Sequence, residues 1–455
     1  MSSQSSSATV VQKESSNAQS EYHDAISEEI QLQQPKTEVL SIASSALSLV
    51  TNDIHLLADS LNSLSFDFYH TFMSKLEKNV VFAPFSISSL ITMCYFSADD
   101  QTRHEISNLL HFKKSFDDTI EMKQMFIILF NLLKKISSSE LTRHASVCPS
   151  SAPSEFSCQT VIDQEFKFQI NSTIYCRAGY LLDKFKKNLI QVFNADILIE
   201  NVDSANFEKL LRKVNYTPRK ITNKNINEMI FNEYINEKMF MLMINTLQFE
   251  GAWKHEIVCA PEIGYFKVSD DKTIEVSLMK LPEVKFMYAK RPNDLPLRIC
   301  EIPFKNDAFT FVIILPEMNC MDQVEKMLNY TTFNDILNKM VLQRLTMVLP
   351  KFQIYDNLDY KDLFSSIPSI VDFSKVKDGL GINKSTYKSY IRLCEKGIEA
   401  SCCNSLCLSH EEINYSKIYK EHPCEDFKCD RPFLFFIREK NTKVILFMGK
   451  LLVPN

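Results

Sequence analysis

The sequence predicts an α+β protein with one large folded region, and three features of its apolar pattern carry this prediction. Near the start of that region, apolar residues recur every three or four positions, which is typical of an amphipathic helix. Two nearly continuous apolar runs, 239–249 and 309–315, are typical of strands buried on both faces. Helix-like and strand-like segments follow one another without regular βαβ alternation, which favours α+β over α/β.

The first part of the folded region is predicted to be mainly helical. Its first helix carries an apolar stripe formed by Leu57, Leu61, Leu64, Phe68, Phe72 and Leu76. A short apolar strand then runs into Pro84, and Ser86 is predicted to cap the helix that follows. Thr102 and Glu105 form a capping box ahead of another helix. A further helix is predicted over 117–135.

The remainder of the chain mixes strands and helices. Residues 166–175 read as a strand and 184–193 as a helix. At the C-terminus, the apolar runs 433–437 and 444–448 flank a polar segment, 438–443. Two apolar runs on either side of a polar turn predict a β-hairpin.

Composition divides the chain into an extension and a domain. Residues 1–50 are rich in Ser, Gln and Glu and poor in apolar side chains, so we expect a disordered extension. The folded domain is predicted over 57–455, with a serine-rich surface insertion at 137–160. The N-terminus lacks the basic and apolar regions of a signal peptide, which predicts a cytoplasmic protein.

Composition also argues against several function classes. Only seven glycines occur among 455 residues, where average usage of about 7% would give roughly thirty. Their spacing excludes a P-loop, a G-x-G-x-x-G fingerprint and a G-x-S-x-G elbow, so we expect neither an enzyme nor a cofactor. The net charge of −5 argues against a nucleic-acid partner. The longest apolar run, 125–133, is too short to insert into a membrane.

Cysteine and lysine residues form two groups that we considered as sites. The thirteen cysteines show no disulfide-framework spacing, which favours reduced thiols in the cytosol. The Cys- and His-rich run from Cys402 to Cys429 lacks regular zinc-ligand spacing, so we expect no metal. Four lysines flank the 117–135 helix, at Lys113, Lys114, Lys134 and Lys135. We interpret them as part of a solvated helix face rather than as a glycosaminoglycan site.

Five segments of the chain, in order, resemble one protein family. The C-terminal segment reads FKCDRPFLFFI and then ILFMG. Upstream of it lie NVVFAPFSIS, NTLQFEGAW, LPKF and EKGIEA, at residues 79–88, 245–253, 349–352 and 395–400. Together these segments resemble the serpins, the serine protease inhibitor superfamily, over roughly residues 57–455.

The resemblance implies a fold and a mechanism. The fold is a single domain with three β-sheets, about nine helices and an exposed reactive-centre loop. A target serine protease cleaves this loop and is trapped covalently when the cleaved loop inserts into the central sheet. The partner is then a serine protease, with a cysteine protease as the alternative, and the inhibitor is a monomer. Because many serpins are extracellular, the extracellular space is the alternative to the cytoplasm.

The resemblance places the hinge of the loop at Glu395, Gly397, Ile398, Glu399 and Ala400. Insertion requires small, uncharged side chains at every second position, because these face the interior. With Gly397 as the hinge glycine, the inward-facing residues are Ile398, Ala400, Cys402 and Asn404. Ile398 is bulkier than the Thr or Ser of most inhibitory relatives, and a buried Asn404 would need a hydrogen-bond partner.

The scissile bond is left open between several positions. The usual count forward from Gly397 places it between Glu411 and Glu412, which is our first choice. A count back from Pro432 instead gives Glu421, so the loop is longer than is typical. Lysines that suit a trypsin-like protease lie in the extra stretch, at Lys417 and Lys420.

A polar cluster beneath the central sheet is implied at Ala83, Ser86, Asn245 and Tyr387. Many serpins have a Ser–Asn–His cluster there, which controls the opening of the sheet. Ser86 and Asn245 are retained, whereas Ala83 lacks a hydroxyl and Tyr387 replaces the histidine. A tyrosine donates one hydrogen bond, so we expect a rearranged network.

Two function classes therefore stay open. The first is a suicide-substrate inhibitor of serine-type endopeptidases. The second is a non-inhibitory serpin that acts as a substrate, storage, chaperone-like or interaction protein. Ile398, Tyr387 and the long loop favour the second class.

Overall fold

Helices lead the folded region and strands complete it. The computed structural model describes residues 43–97, 100–112, 119–138, 166–177, 183–193, 196–200, 207–222, 224, 226, 228, 241–255, 257–359, 386–402 and 424–454. The α-helices of this part are α1 (Ala43–Phe68), α2 (Pro84–Ser97), α3 (Asp100–Leu109), α4 (Thr119–Ser138), α5 (Asp183–Phe193), α6 (Phe207–Ile221), α7 (Met321–Met327) and α8 (Tyr330–Asn338).

Fifteen strands accompany these helices. The first eight are β1 (Val80–Phe82), β2 (Phe166–Arg177), β3 (Asp196–Glu200), β4 (Met241–Ala252), β5 (Val258–Lys267), β6 (Thr273–Lys290), β7 (Leu297–Pro303) and β8 (Phe309–Pro316). The others are β9 (Val341–Pro350), β10 (Phe352–Asp359), β11 (Thr386–Cys394), β12 (Gly397–Cys402), β13 (Glu425–Lys428), β14 (Phe433–Glu439) and β15 (Ile445–Leu451). The predicted C-terminal hairpin is the antiparallel pair β14 and β15.

The first helix differs from its prediction at both ends. It begins at Ala43, so residues 43–50 are helical rather than part of a disordered extension, and residues 1–42 lie outside the described part. It ends at Phe68 and continues as a π-helical turn over Tyr69–Met73. Its stripe is otherwise as predicted, since Leu57, Leu61, Leu64 and Phe68 are buried.

The second helix begins without the predicted cap. Pro84 occupies its first position, where the missing N–H costs no hydrogen bond. Ser86 therefore lies inside the first turn, and the prediction that it caps the helix is wrong. Its hydroxyl instead reaches the six-stranded sheet. Most of the predicted insertion, 139–160, lies outside the described residues.

The described strands form two sheets instead of the three that the resemblance implies. One sheet has the order β10-β11-β12-β4-β2-β3. The nine-stranded sheet has the order β1-β15-β14-β8-β7-β6-β9-β13, with β5 also paired to β6. The long strand β6 explains the difference in number. It pairs with β7 near Lys290 and with β5 near Thr273, so it joins two groups of strands into one continuous sheet.

Aromatic side chains fill the space between the two sheets. Phe166 of β2 stacks on Phe309 of β8, with ring centroids 5.1 Å apart. Phe249 of β4 contacts Phe304, which follows β7, at 5.0 Å. Trp253 stacks on the same ring at 5.2 Å. These contacts fix β4 against the nine-stranded sheet, and β4 is the strand beside which the hinge lies.

Candidate functional site

The hinge segment is a strand in the middle of the six-stranded sheet. β12 lies between β11 and β4 and is antiparallel to both. Ala400 stands opposite Ile391 on one side and Phe249 on the other. The sheet therefore holds the segment that follows β11 through backbone hydrogen bonds on both edges.

Alternate side chains of this strand face inward and outward, as the sequence predicts for an inserted hinge. Ile398 is 2% exposed and Ala400 is 0% exposed, whereas Glu399 between them is only half-buried. Ile398 stands opposite Leu393 and Gly251, so its bulk is accommodated beside a residue without a side chain. The isoleucine that looked unfavourable in the sequence therefore fits the interior.

Gly397 begins this strand in a conformation that suits only glycine. Its φ is +153°, and a Cβ at this position would lie 2.0 Å from the carbonyl oxygen of Gly251. The close approach of the two backbones therefore requires glycine here, since any side chain would push β12 away from β4.

The turn before β12 is held by one ion pair and by the single tryptophan. Lys351 forms an ion pair with Glu395. The Trp253 indole Nε1 donates to the carbonyl oxygen of Cys394 at 2.9 Å. The Trp253 backbone N–H donates to the carbonyl oxygen of Lys396 at 3.3 Å. Trp253 thus ties the start of the hinge to the end of β4.

A row of four charged residues, one on each of four adjacent strands, crosses the sheet at the hinge. In register they are Arg392 on β11, Glu399 on β12, Glu250 on β4 and Lys167 on β2. Lys167 Nζ lies 3.7 Å from Glu250 Oε1, and Gln248 Nε2 also donates to that oxygen. The pKa of the Glu250 carboxyl is raised to about 7, mainly by burial; Lys167 acts to lower this pKa and Glu399 acts to raise it.

Hydrogen bonds of the predicted polar cluster include one set around Asn245 and one at the Tyr387 hydroxyl. Ser86 Oγ donates to Asn245 Oδ1 at 2.6 Å, and Asn245 Nδ2 donates to Ser172 Oγ at 3.0 Å. In the second set, the Ala83 backbone N–H donates to the Tyr387 hydroxyl at 2.5 Å. The tyrosine therefore accepts from the backbone just before α2, whereas the serine and asparagine join α2 to β4 and β2.

Two further residues of this region were missed in the sequence. Ser172, in β2, completes the chain of hydrogen bonds from Ser86. Ser389, in β11, donates from Oγ to the carbonyl oxygen of Val81 at 2.7 Å. Both are buried small polar residues in strands. Neither serine stands out in the sequence, because β2 and β11 both mix polar and apolar residues.

The connection after β12 ends at the edge of the other sheet. β13 pairs in parallel with β9, and Phe427 is fully buried. Lys290 of β6 forms an ion pair with Glu425 at 2.5 Å. Each end of the 403–423 connection is therefore anchored in a different sheet. The four reactive-site candidates, Glu411, Glu412, Lys417 and Lys420, lie in this connection, outside the described residues.

The described part of the chain contains neither a candidate membrane-spanning helix nor a candidate metal-binding group of side chains. None of its helices combines the length and the apolar character needed to cross a membrane. No three of its His, Cys, Asp and Glu side chains are grouped so that they could hold a metal ion.

The fold and the hinge define a class of protein whose central sheet takes up the strand that leads into its long connecting loop. A family model described as Serpin (serine protease inhibitor) matches residues 59–454, and the chain belongs to this family. The family contains inhibitory and non-inhibitory members, and its inhibitors are not catalytic enzymes.

Relatives and solved structures agree with this membership. Human Serpin B4 is 23% identical over 418 residues, which cover 88% of this chain and 99% of that protein. Human antithrombin-III is 26% identical over 396 residues, which cover 83% of this chain and 76% of that protein. The loop-inserted structure of a cleaved ovalbumin mutant has a TM-score of 0.68 at 17% identity, and covers 88% of this chain and 100% of that one.

Proposed function

We propose that the protein inhibits serine-type endopeptidases as a suicide substrate. The observation that carries this proposal is the position of β12, because the central sheet already holds the hinge residues from Gly397 onward between β11 and β4. An inhibitor of this type needs a sheet that admits its loop as a new strand.

The sheet offers further room beyond the end of β12. In register, Ser401 stands opposite Tyr390, and Cys402 stands opposite Leu247. The remaining residues of β11 and β4, Thr386–Ser389 and 241–246, extend past this point. Loop residues after Cys402 would lengthen β12 along these two edges, and every added residue would gain backbone hydrogen bonds.

The chemistry of trapping follows from attack on one loop peptide bond. The hydroxyl oxygen of the protease serine attacks the scissile carbonyl carbon and forms an ester, while the peptide nitrogen leaves protonated at the start of the downstream segment. That segment stays attached through β13. The upstream segment, still esterified to the protease, lengthens β12 and carries the protease away from its productive geometry before water can hydrolyse the ester.

We place the scissile bond between Glu411 and Glu412, with Lys417 and Lys420 as alternatives in the same connection. A scissile bond closer to the hinge leaves a shorter segment between the hinge and the protease. For the same number of inserted residues, this shorter segment pulls the protease further along the sheet. A glutamate there favours a protease that accepts an acidic residue, whereas the lysines favour a trypsin-like protease. Cysteine proteases that form an equivalent thioester are the second target class.

Incubation with a panel of glutamate-specific, trypsin-like and cysteine proteases tests the proposal. We expect a complex that survives SDS, together with a released C-terminal fragment whose first residue identifies the cleaved bond. The substitutions Glu411→Ala, Lys417→Ala and Lys420→Ala assign the site, since only one of the three should abolish the complex. Stoichiometric cleavage of the loop without any SDS-stable complex, across the whole panel, would exclude inhibition.

A non-inhibitory role is the second candidate, and one observation favours it. Insertion of β12 places Glu399 directly opposite Glu250. Like charges opposite one another destabilise a pair of strands, and slow insertion gives the protease time to complete hydrolysis. Cleavage without trapping, in the experiment above, is the outcome that supports this role.

A further inference from the structure

We propose that Glu250 on β4 controls how readily β12 enters the central sheet, and that entry takes up one proton at the pair formed by Glu250 and Glu399. The inference rests on loop insertion, which is part of the proposed function, and it adds a control by pH that operates at the hinge itself. Glu250 acts here as a positioning residue, because it contacts the inserting strand and not the protease.

The geometry of the pair depends on insertion. Glu250 and Lys167 stand opposite one another on β4 and β2, and β12 takes no part in the pairing of these two strands. Glu399 stands opposite Glu250 only because β12 lies beside β4. Insertion therefore adds a second carboxylate to a site that otherwise holds one carboxylate and one lysine, and directly opposed like charges destabilise a strand pair.

Glu250 has one charged residue opposite it on each of its two neighbouring strands. β2 presents Lys167 and β12 presents Glu399; Arg392 on β11 stands on the far side of Glu399. On β4 itself the neutral Gln248 donates to Glu250 Oε1. α2, which also packs on β4, contains no charged residue. α6 is held at the other end of the sheet, where its Lys213 carbonyl accepts from Tyr175, a residue of β2 opposite Leu242.

The sign of the pH dependence follows from these neighbours. With β12 inserted, the pKa of Glu250 is raised to about 7, chiefly by burial and also by Glu399, with Lys167 acting in the opposite direction. With β12 outside the sheet, Glu399 is gone and Lys167 remains, so the pKa falls towards its ordinary value. The inserted state then binds more protons, and insertion becomes more favourable as the pH falls through about 7.

Hydrogen exchange at the backbone amides of β12 measures this equilibrium in the intact chain. The protection of the amides from Glu399 to Cys402, corrected for the intrinsic exchange rate at each pH, reports the population of the inserted strand. In the wild-type protein we expect protection to fall by up to about tenfold per pH unit as the pH rises from 5 to 7, and to level off above about 7, where Glu250 is ionised in both states.

Two substitutions separate the contributions to this dependence. Glu250→Gln removes the group that titrates, so its protection should be nearly constant from pH 5 to pH 8 and higher than wild type at pH 8. Glu399→Gln removes the like charge but leaves Glu250 buried, so its pH dependence should be weaker than that of wild type. Glu275→Gln is the matched control, because Glu275 is an exposed glutamate of β6 with no link to the hinge. It should keep the wild-type pH profile.

The outcomes separate this inference from the proposed function. Protection that is independent of pH in the wild type, or equal in wild type and Glu250→Gln, overturns the inference even if SDS-stable protease complexes form. Amides of β12 that are unprotected at every pH also overturn it. A pH profile that disappears in Glu250→Gln and weakens in Glu399→Gln supports it, even if no protease is trapped and inhibition fails.

Discussion

Gly397 and Gly251 bring two backbones closer together than any other residue type would allow. A Cβ on Gly397 would lie 2.0 Å from the Gly251 carbonyl oxygen, and the positive φ of Gly397 adds a second restriction. The contact joins the first residue of β12 to β4. The hinge can therefore start its strand directly beside β4 only because Gly397 lacks a side chain.

The substitution Gly397→Ala should destabilise the inserted hinge. Its φ alone costs about 1–3 kcal/mol for a residue with a Cβ, and the carbonyl of Gly251 is rigid backbone that has to move. We expect a lower free energy of unfolding in urea, together with selective loss of hydrogen-exchange protection in β12.

Gly264→Ala provides the control for this prediction. A Cβ at Gly264 would approach Leu278 Cδ1 at 1.9 Å, which is the end of a flexible side chain that can change its rotamer. Gly264→Ala should therefore lower the free energy of unfolding less than Gly397→Ala does, and β12 should keep its hydrogen-exchange protection. Equal losses of stability in the two variants would contradict the special role of the Gly397–Gly251 contact.

The ion pair between Lys351 and Glu395 should contribute only modestly to stability. Its side chains are 37% and 22% exposed, and pairs of this kind typically contribute about 0.2–1 kcal/mol. A double-mutant cycle with Lys351→Met and Glu395→Gln should give a coupling energy in this range that decreases at high salt. The pair Arg212–Glu208, with both side chains 84% exposed, should give a coupling near zero. A larger coupling in that exposed pair would refute the argument from exposure.

Local sequence patterns predicted most of the elements. The stripe of α1 and the C-terminal hairpin follow from periodicity, which reports the face that each element buries. The number of sheets does not follow from periodicity, because it depends on β6 pairing with β5 at one end and β7 at the other. The start of α1 at Ala43 could not be predicted either, because no apolar stripe marks the first residues of this helix.

The site was predicted only in part, for a related reason. The hinge motif identified Gly397, Ile398 and Ala400, because the requirement for small inward residues can be stated position by position. The juxtaposition of Glu250 and Glu399 depends on the register of two strands that are far apart in sequence. Ser172 was missed for the same reason, since its partner Asn245 lies on another strand.

Replacing Tyr387 by phenylalanine should destabilise the fold through the backbone. Tyr387 is buried, and its hydroxyl accepts from the Ala83 N–H just before α2. Phenylalanine fills the same volume but leaves that N–H without this acceptor, which costs about 1–3 kcal/mol for a buried group. Urea unfolding measures the loss. Tyr265→Phe is the control, because Tyr265 is 65% exposed and should change little. Equal effects at both positions would rule out the hydrogen bond as the cause.

Replacing Asn245 by aspartate should make stability depend on pH. Asn245 is buried, accepts from Ser86 Oγ and donates from Nδ2 to Ser172 Oγ. A neutral carboxyl can keep both bonds, since its two oxygens can accept from one serine and donate to the other. An ionised carboxylate cannot donate to Ser172, and burial disfavours its charge, so its pKa in the folded state is raised. The unfolded chain ionises at about 3.9, and the folded state therefore loses stability as the pH rises above that value.

Urea unfolding at pH 5 and pH 8 measures this loss. We expect the difference in unfolding free energy between Asn245→Asp and wild type to be larger at pH 8 than at pH 5, by about 1 kcal/mol or more for each unit of raised pKa. Asn245→Ala serves as the control: it removes both hydrogen bonds and should be destabilised by the same amount at both pH values. If the aspartate variant behaves like the alanine variant, the Asn245 side chain does not bridge Ser86 and Ser172 in solution, and the cluster beneath the sheet depends on Tyr387 instead.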